Sequence, residues 1–459
     1  MLSTRLISSI LKLTSAAIRR GGKRAMSDAC AAEAACAMEE KFQLPKRYGK
    51  GEKSVWVEFI EVAAKTKALN LGQGFPDYPP PKYVTEALQS VACSDNHLLN
   101  QYTRGYGHPR LVNALAKLYS KLLNRELDPL TNVLITIGAY EALFTAINGH
   151  VSKGDEVIII EPFFDCYEPM VRAAGGIPRF IPLRMLSEPE GMITSSDFCL
   201  DPDELEGLFN DKTKLIIVNT PNNPFGKVFS YEELEMIANL CKKWNVICIS
   251  DEVYEWMVYK PKCHIRMATL PDMWERTITI GSAGKTFSVT GWKTGWAYGP
   301  SNILENMRVV HQNVVYVHST PIQEAIALGF EKEIDRMDND PENCFFYTIV
   351  DELTPKRDFM CKFLAESGMK PVCPEGGYFI LADWSPIESQ MDLSTEKDKF
   401  KDYRMAKWMA KNVGLLGIPP TAFYSAHKEL AEKYIRYCFI KEDKKLKQAA
   451  EILKKMKQS

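Results

Sequence analysis

The sequence predicts an α/β protein, with a mostly parallel sheet covered by helices on both faces and a smaller α+β domain after it. Between about residues 132 and 284, short apolar runs rich in β-branched residues alternate with amphipathic helical patterns. Parallel strands need long crossover connections, so this alternation is typical of a parallel sheet between helices. From about residue 325 the pattern changes to longer charged helices and isolated strand-like pieces, which predicts a separate α+β domain.

The predicted elements follow one another in a regular order. The strands of the large sheet are NVLITIG (132–138), DEVIIIEP (155–162), TKLIIVNTP (213–221), NVICISDE (245–252) and RTITIGSAG (276–284). The helices between them are YEALFTAINGHV (140–151), YEPMVRAAG (167–175) and SYEELEMIANLCKKW (230–244), and the last begins with a capping box of Ser230 and Glu233. Later come the predicted helices in 331–340 and 397–414 and the strands GGYFILADW (376–384) and YIRYCFI (434–440).

Composition excludes several classes of function. The 57 basic and 58 acidic residues leave a net charge of -1, so no overall field attracts nucleic acid or acidic lipid. The 12 cysteines form no C-x-x-C pair, which argues against a zinc site or a disulfide framework, and we expect no metal. Because no run of about 18 apolar residues occurs, we expect no membrane span.

The first 27 residues differ from the rest of the chain. They are basic and serine-rich, they contain no acid, and Arg5, Lys12 and Arg19 recur along one side of a helical projection. This pattern predicts a mitochondrial transit peptide and a matrix location, with a cytoplasmic pool if the segment is bypassed. The alternative is a disordered basic tail.

Lys285 lies in SAGKTFS (282–288), which superficially resembles the end of a phosphate-binding P-loop. The spacing excludes that interpretation, because the first glycine of the motif falls on Thr279, inside a predicted strand. A lysine in a small-residue turn after a buried strand can instead form a Schiff base with a carbonyl cofactor, since partial burial beside other cations lowers its pKa. The alternative is an ordinary solvated lysine.

Two further strand ends carry polar side chains. Asp251 ends an apolar strand and Tyr254 follows three residues later. A buried carboxylate needs a partner, and a protonated pyridine nitrogen would supply one, although such an acid often only caps the next segment. Near Lys285, the hydroxyl of Ser282 and the charge of Lys293 suit a phosphate.

Two turns complete the pattern. VNTPNNPFGK (218–227) forms a rigid turn in which Asn223 could bond a phenolate oxygen, or serve the turn alone. Gly138 and Ala139 stand between a strand and a helix amino terminus, where free N–H groups favour phosphate, although small residues start many helices.

Taken together, these motifs resemble the class I and II branch of the fold-type I pyridoxal 5′-phosphate (PLP) aminotransferases, over about residues 50–440. That resemblance implies a large domain with a seven-stranded, mostly parallel sheet. Within the family, the chain is similar to the kynurenine aminotransferase branch, which is also called cysteine-S-conjugate β-lyase. The motifs that carry this similarity are NLGQGFPDYPPP (70–81), NQYTRGYGHPRL (100–111), EPFFDCYEPM (161–170), VNTPNNPFGK (218–227) and RVVHQN (308–313).

The resemblance assigns cofactor-binding roles. It implies that Lys285 is the Schiff-base lysine of PLP, that Asp251 pairs with the ring nitrogen and that Phe163 stacks on the ring. Asn223 and Tyr254 are expected to hold the 3-oxygen. The expected phosphate ligands are Ser282, Lys293 and the backbone of Gly138, Ala139 and Tyr140.

The resemblance also assigns the substrate side. Arg436 would bind the α-carboxylate together with Asn223, Gly74 would give the substrate room, and Trp56 would line its side-chain pocket. Tyr102 is expected to reach the cofactor phosphate of the neighbouring subunit, which implies a homodimer with shared active sites.

The stretch HQNVVYVHSTP (311–321) departs from this branch. Val317 stands where the branch commonly has a histidine, His318 follows it, and Tyr316 could preserve an aromatic wall. We expect the difference to affect substrate preference rather than the type of reaction.

The predicted function is transamination between 2-oxo acids and kynurenine, glutamine or other aromatic or sulfur-containing amino acids. The alternatives are a cysteine-S-conjugate β-lyase and a PLP-binding scaffold without turnover. The predicted domains are the transit-like segment (1–27), an arm that contributes to the small domain (28–75), the large PLP-binding domain (76–325) and the small domain (326–459).

Overall fold

A computed structural model describes residues 42–48, 54–187, 189 and 191–458. The predicted transit-like segment, 1–27, lies outside the described residues. Helices of the described chain are α1 (Val55–Thr66), α2 (Lys82–Ala92), α3 (Pro109–Leu123), α4 (Gly138–Asn148), α5 (Tyr167–Ala173), α6 (Pro202–Leu208), α7 (Tyr231–Trp244), α8 (Ala283–Thr286), α9 (Ser301–Val314), α10 (Thr320–Asn339), α11 (Phe345–Glu366), α12 (Lys401–Trp408) and α13 (Asp443–Gln458).

The strands group into one large sheet and three smaller ones. Those of the large sheet are β2 (Val133–Ile137), β3 (Glu156–Glu161), β4 (Ile177–Pro182), β7 (Thr213–Asn219), β8 (Ile247–Asp251), β9 (Thr277–Ser282) and β10 (Thr294–Tyr298). The smaller sheets contain β1 (Leu69–Asn70), β5 (Arg184–Met185), β6 (Phe198–Cys199), β11 (Lys370–Val372), β12 (Phe379–Asp383), β13 (Leu415–Leu416) and β14 (Tyr434–Cys438).

The large sheet has the order β2-β10-β9-β8-β7-β3-β4, in which only β10 runs antiparallel to its neighbours. This confirms the predicted seven-stranded, mostly parallel sheet. All five strands predicted for it are present, and β3, β7 and β8 are almost wholly buried apolar runs, as expected for a sheet covered on both faces.

Strands β4 and β10 were not predicted. Strand β4 begins and ends in Ile-Pro pairs and lies at the edge of the sheet, where proline costs no ladder hydrogen bond. Strand β10, TGWAY, follows a glycine-containing turn and contains Gly295. A Cβ on Gly295 would lie 2.4 Å from the backbone nitrogen of Ala139, so glycine lets β10 approach the start of α4.

The predicted helices are present, and the capping box at the start of α7 is confirmed. The Ser230 hydroxyl accepts from the backbone N–H of Glu233, and the Glu233 carboxylate accepts from the N–H of Ser230. Helix α4 begins at Gly138, whose φ of 70° lies in the region that favours glycine.

The later part of the chain builds an antiparallel sheet of order β11-β12-β14, which confirms the two predicted strands in 376–384 and 434–440. Near the amino-terminal side, β1 pairs with β13 in parallel, so residues 69–70 contribute to this part of the fold. Helix α10 runs through residue 325, so the change of sequence pattern falls inside one helix. The domain boundaries themselves stay a prediction. Within the described ranges, no helix is long and apolar enough to cross a membrane.

Candidate active site

A cavity of about 340 Å³ lies at the carboxyl ends of β7, β8 and β9 and at the start of α4. Crevices at this edge of a parallel sheet are where such folds bind ligands. Most of the side chains and glycines predicted for the site line it: Trp56, Gly74, Gly138, Ala139, Tyr140, Asn223, Asp251, Tyr254, Ser282, Lys285, Lys293 and Arg436. Twelve predicted residues from distant parts of the sequence therefore meet at one place.

Lys285 lies in the one-turn helix α8, directly after β9. Its Nζ donates a hydrogen bond of 2.6 Å to the hydroxyl of Tyr378. Burial lowers the pKa of Lys285 to about 8; the charges of Arg436 and Lys293 act in the same direction, and Asp251 opposes them. Such an amine exchanges its proton near neutral pH, as a nucleophile or base must.

Asp251 ends β8 and is almost fully buried. Its Oδ2 accepts a hydrogen bond of 2.5 Å from the hydroxyl of Tyr167. Its Oδ1 is buried and has no hydrogen-bond partner among the described residues. Burial raises the pKa of Asp251 to about 6, against the opposing effects of Tyr167 and the N–H of Val253. One carboxylate oxygen is thus free to pair with a cationic N–H group in the cavity.

Arg436 lies in β14 and is fully buried. It donates from Nη1 to Asn223 Oδ1 at 2.9 Å and from Nη2 to the Gly72 carbonyl at 2.8 Å, and its Nε has no partner in the described part of the chain. Burial lowers the pKa of Arg436 to about 10. Asp165 attracts this guanidinium, but no carboxylate of the described chain lies within salt-bridge distance of it, so it is suited to an anionic group of a ligand.

Three aromatic rings surround the guanidinium of Arg436. Its Cζ lies 4.0 Å from the ring centre of Phe379, 4.9 Å from Phe423 and 5.2 Å from Trp56. Trp56 is fixed by a hydrogen bond of 2.8 Å from its Nε1 to Asp165. Rings that contact a cation and exclude water strengthen its attraction for an anion. They also give this end of the cavity an apolar wall.

Another part of the cavity lining is suited to an anion. The N–H groups at the start of α4 belong to Gly138, Ala139 and Tyr140, and helix amino termini carry partial positive charge. The ammonium of Lys293 lies 3.4 Å from the place where a Cβ on Gly138 would stand. Ser282, at the end of β9, adds a hydroxyl.

The prediction for Phe163 is wrong. Phe163 is buried away from the cavity and stacks on Phe180, with ring centres 5.8 Å apart, and on Tyr167, at 6.3 Å. The next residue, Phe164, lines the cavity and meets the edge of Tyr140 at 6.2 Å. Successive side chains of an extended segment point to opposite sides, so only one of the two phenylalanines can face the ligand.

Tyr102 does not line this cavity. It is 84% exposed, and its ring contacts that of the exposed Tyr316 at 6.0 Å, edge to face. Val317 lies in the same region of the surface. His318 is buried and bonds Thr294 Oγ1 at 2.8 Å, so it does not replace the missing histidine there. Burial lowers the pKa of His318 to about 4, which keeps its ring neutral.

Several side chains of the candidate site were not predicted from the sequence. Tyr167 and Tyr378, which contact Asp251 and Lys285, read in the sequence as ordinary apolar positions of a helix and a strand. Asn219 accepts from the N–H of Asn223 and donates to the Asp251 carbonyl, and so it ties the ends of β7 and β8 together. Its only signal was its place at the end of a strand.

Buried carboxylates hold the segment that carries Asp251 and Tyr254. Glu252 accepts from Ser250 Oγ at 2.8 Å and bonds His264 Nε2 at 2.8 Å. Glu255 accepts from Tyr119 Oη at 2.6 Å and pairs with Arg266. These contacts of Glu252 and Glu255 stabilise the turn after β8. Among the residues that the structure describes, no three or more His, Cys, Asp or Glu side chains form a group that could hold a metal ion.

Comparisons with known proteins agree with this geometry. The family model for aminotransferase class I and II matches residues 66–453. Kynurenine–oxoglutarate transaminase 3 of Homo sapiens is 51% identical over 418 residues, which cover 91% of this chain and 91% of that protein. Kynurenine–oxoglutarate transaminase 1 of Homo sapiens is 49% identical over 405 residues, covering 88% and 95%.

Solved structures share the fold. Bna3p of Saccharomyces cerevisiae superposes with a TM-score of 0.82 at 34% identity, covering 90% of this chain and 99% of that one. N-Succinyldiaminopimelate aminotransferase of Mycobacterium tuberculosis gives a TM-score of 0.79 at 34% identity, covering 90% and 100%. The sheet, the cavity and these relatives lead to one conclusion: the chain belongs to the class I and II aminotransferases.

Proposed function

We propose that this protein transfers the amino group of kynurenine, glutamine and other aromatic or sulfur-containing amino acids to 2-oxo acids, with PLP bound at Lys285. The observation that carries the proposal is the convergence of Lys285, Asp251 and Arg436 in one cavity, whose lining also includes the start of α4, Ser282 and Lys293, which suit an anion. The substrate class is supported by the relatives named kynurenine–oxoglutarate transaminase, which are 51% and 49% identical to this chain over most of its length.

The residues present fit PLP. The unpartnered Oδ1 of Asp251 suits a protonated ring nitrogen, and the start of α4 with Ser282 and Lys293 suits the phosphate. Phe164, which lines the cavity, would take the stacking role first assigned to Phe163, while Asn223 and Tyr254, which also line it, would hold the ring hydroxyl. When bound, PLP supplies an aldehyde that condenses with amines and a protonated ring that delocalises the electron pair left at Cα of the amino acid.

The chain's own groups then hold the substrate and move its protons. Arg436 binds the α-carboxylate and fixes the Cα–H bond toward Lys285. The Lys285 amine, whose pKa is about 8, removes the Cα proton and returns it elsewhere on the bound molecule, so one residue serves as base and acid. Asp251 keeps its charge beside the ring nitrogen, while Trp56 and Phe379 exclude water around the substrate.

The decisive experiment compares wild type with Lys285→Ala and, as a matched control, Lys243→Ala, an exposed lysine of α7 that pairs with Glu206. Wild type and the control should show a visible cofactor absorption band and ping-pong turnover of amino acids with 2-oxo acids. Lys285→Ala should lose both. A band that persists in Lys285→Ala would contradict the cofactor assignment.

Product analysis separates the alternative activities. A panel of amino and 2-oxo acids, including cysteine conjugates, should yield mainly the corresponding oxo acids. Pyruvate with free thiol as the main products would instead establish a β-lyase. A stable visible band without turnover of any pair would establish a scaffold.

We also infer that the protein is a homodimer in which Tyr102 completes the partner's site. The exposure of Tyr102 and Tyr316, outside the cavity of their own chain, supports this inference. Lys285→Ala and Tyr102→Ala chains, each poorly active alone, should recover about a quarter of wild-type activity after mixing and reassociation, since half of the dimers then hold one intact site. No recovery in mixed dimers would refute the shared site.

For residues 1–27 we propose targeting to the mitochondrial matrix, which rests on their basic, acid-free, periodic sequence. A fluorescent protein fused after residue 27 should enter mitochondria. A matched fusion in which Arg5, Lys12 and Arg19 are replaced by glutamine should stay in the cytosol.

A further inference from the structure

Tyr378 directly precedes β12 and is 1% exposed. Its hydroxyl bonds the Nζ of Lys285 at 2.6 Å and the carbonyl oxygen of Gly74 at 3.0 Å, and its side chain also hydrogen-bonds that of Tyr254. Its ring meets that of Tyr254 edge to face, with centres 5.2 Å apart. Tyr378 thus joins the lysine to the segment around Gly74 on the substrate side of the cavity.

The hydrogen-bond directions follow from the atoms involved. A carbonyl can only accept, so the single proton of the Tyr378 hydroxyl goes to Gly74. The oxygen of Tyr378 therefore turns a lone pair to Lys285, and the amine donates. Burial raises the pKa of Tyr378 far above its usual range, so the hydroxyl keeps this proton throughout.

We propose that Tyr378 is a positioning residue for transamination, holding the amine of Lys285 through its hydroxyl oxygen whenever that amine is not bonded to the cofactor. This inference rests on the proposed function. A freed lysine has four rotatable bonds, and a single acceptor at 2.6 Å selects one orientation of its Nζ.

Packing alone does not account for this contact. Tyr437 offers the comparison, since it is equally buried and its hydroxyl has no hydrogen-bond partner among the described residues. A buried tyrosine in this fold therefore does not need a polar partner to be accommodated. The hydroxyl of Tyr378 instead bonds the Nζ of Lys285 and the carbonyl oxygen of Gly74.

Other titratable groups also face Lys285, and the Tyr378 hydroxyl acts in addition to them. Arg436 from β14 and Lys293, which precedes β10, favour the neutral amine, whereas Asp251 from β8 and the Cys438 thiol favour the ammonium ion. Tyr254 presents its ring, 5.4 Å from Nζ, and its side chain also hydrogen-bonds that of Tyr378. The Tyr378 oxygen favours the ammonium ion, because it accepts a bond from a cation.

The test is Tyr378→Phe, with Tyr437→Phe as the matched loss of a buried hydroxyl. In cofactor-free protein, the pH dependence of Lys285 acylation, followed by peptide mass spectrometry, should show a midpoint about one pH unit lower in Tyr378→Phe. Tyr437→Phe should match wild type. In the loaded enzyme, Tyr378→Phe should lower kcat about tenfold and change KM for the amino acid less than about threefold.

An unchanged acylation midpoint, or equal losses of kcat in the two variants, would overturn the proposal. If Tyr378→Phe does not fold, wild type labelled with ¹³C at tyrosine Cζ answers the same question. The Tyr378 resonance should shift with the midpoint of Lys285 titration, and this shift should vanish in Lys285→Ala. Its persistence there would overturn the proposal. The acylation result concerns the cofactor-free protein, so it stands apart from the success or failure of the substrate assignment.

Discussion

Removal of the Tyr167 hydroxyl tests whether Asp251 must be ionised to hold the cofactor. Tyr167→Phe keeps the ring that packs on Phe163 and deletes the 2.5 Å hydrogen bond to Asp251 Oδ2. The remaining carboxylate is buried, and its other oxygen has no partner among the described residues. Loss of the bond therefore favours the protonated acid.

The size of the effect follows from the pKa of Asp251, which is about 6 in the intact protein. A hydrogen bond to a charged group contributes about 1.5–3 kcal/mol, so we take its loss to raise the pKa by about 1.5. If the cofactor binds only protein in which Asp251 is ionised, then below the new pKa part of the binding free energy is spent on deprotonating Asp251, and binding is weaker. With these values the dissociation constant rises about sixteenfold at about pH 6 and about 1.1-fold at about pH 8.5, relative to wild type.

The assay is equilibrium binding of PLP to cofactor-free protein, read from the visible band between about pH 6 and 8.5. The ratio of the two dissociation constants matters, because other titrating groups affect both proteins alike and cancel. Tyr437→Phe, which loses a hydroxyl without a described partner, should give a ratio near one throughout. A Tyr167→Phe ratio that does not change with pH would refute the reasoning.

Two further predictions concern substrate binding and stability. Arg436→Lys should raise KM for the amino acid about tenfold to a hundredfold while the visible cofactor band stays, because one charge remains but the guanidinium bonds are lost; an unchanged KM would mean that the carboxylate binds elsewhere. Gly281→Ala should lower the free energy of unfolding by about 2 kcal/mol, since its Cβ would lie 2.3 Å from the buried ring of Trp296. Gly207→Ala, which has open space in α6, should be neutral or stabilising in the same denaturation experiment, and equal losses would contradict the packing argument.

The strands that carry the site were predictable because burial on both faces produces continuous apolar runs. Asp251 and Asn223 could be found as polar residues where such runs stop. Strand β4 could not, because its edge position tolerates Pro178 and Pro182, which elsewhere argue against a strand. Strand β10 could not be predicted because it contains Gly295, and glycine weakens a strand pattern. The reason for this glycine is its close approach to the backbone of Ala139, which only the structure shows.

Side-chain direction was the part that local sequence could not supply. Phe163 and Phe164 are identical neighbours, and only the packing of Phe180 on one side decides which faces the cavity. The partners of Tyr167 and Tyr378 lie 84 and 93 residues away along the chain, so nothing local marks these hydroxyls as part of the site. The resemblance to a family named the ligand-facing positions but misplaced this ring by one residue.

The hydrogen bond from Arg436 to the Gly72 carbonyl joins residues 364 positions apart. During synthesis, Gly72 is made early, and its hydrogen bond with Arg436 can form only after nearly all of the remaining chain, including β14, has been made. A nascent chain can already contain the segments of β8 and α8, with Asp251 and Lys285, while it still lacks Arg436, to which we assign the carboxylate of the amino acid. On that assignment, substrate recognition is among the last properties that the folding chain acquires.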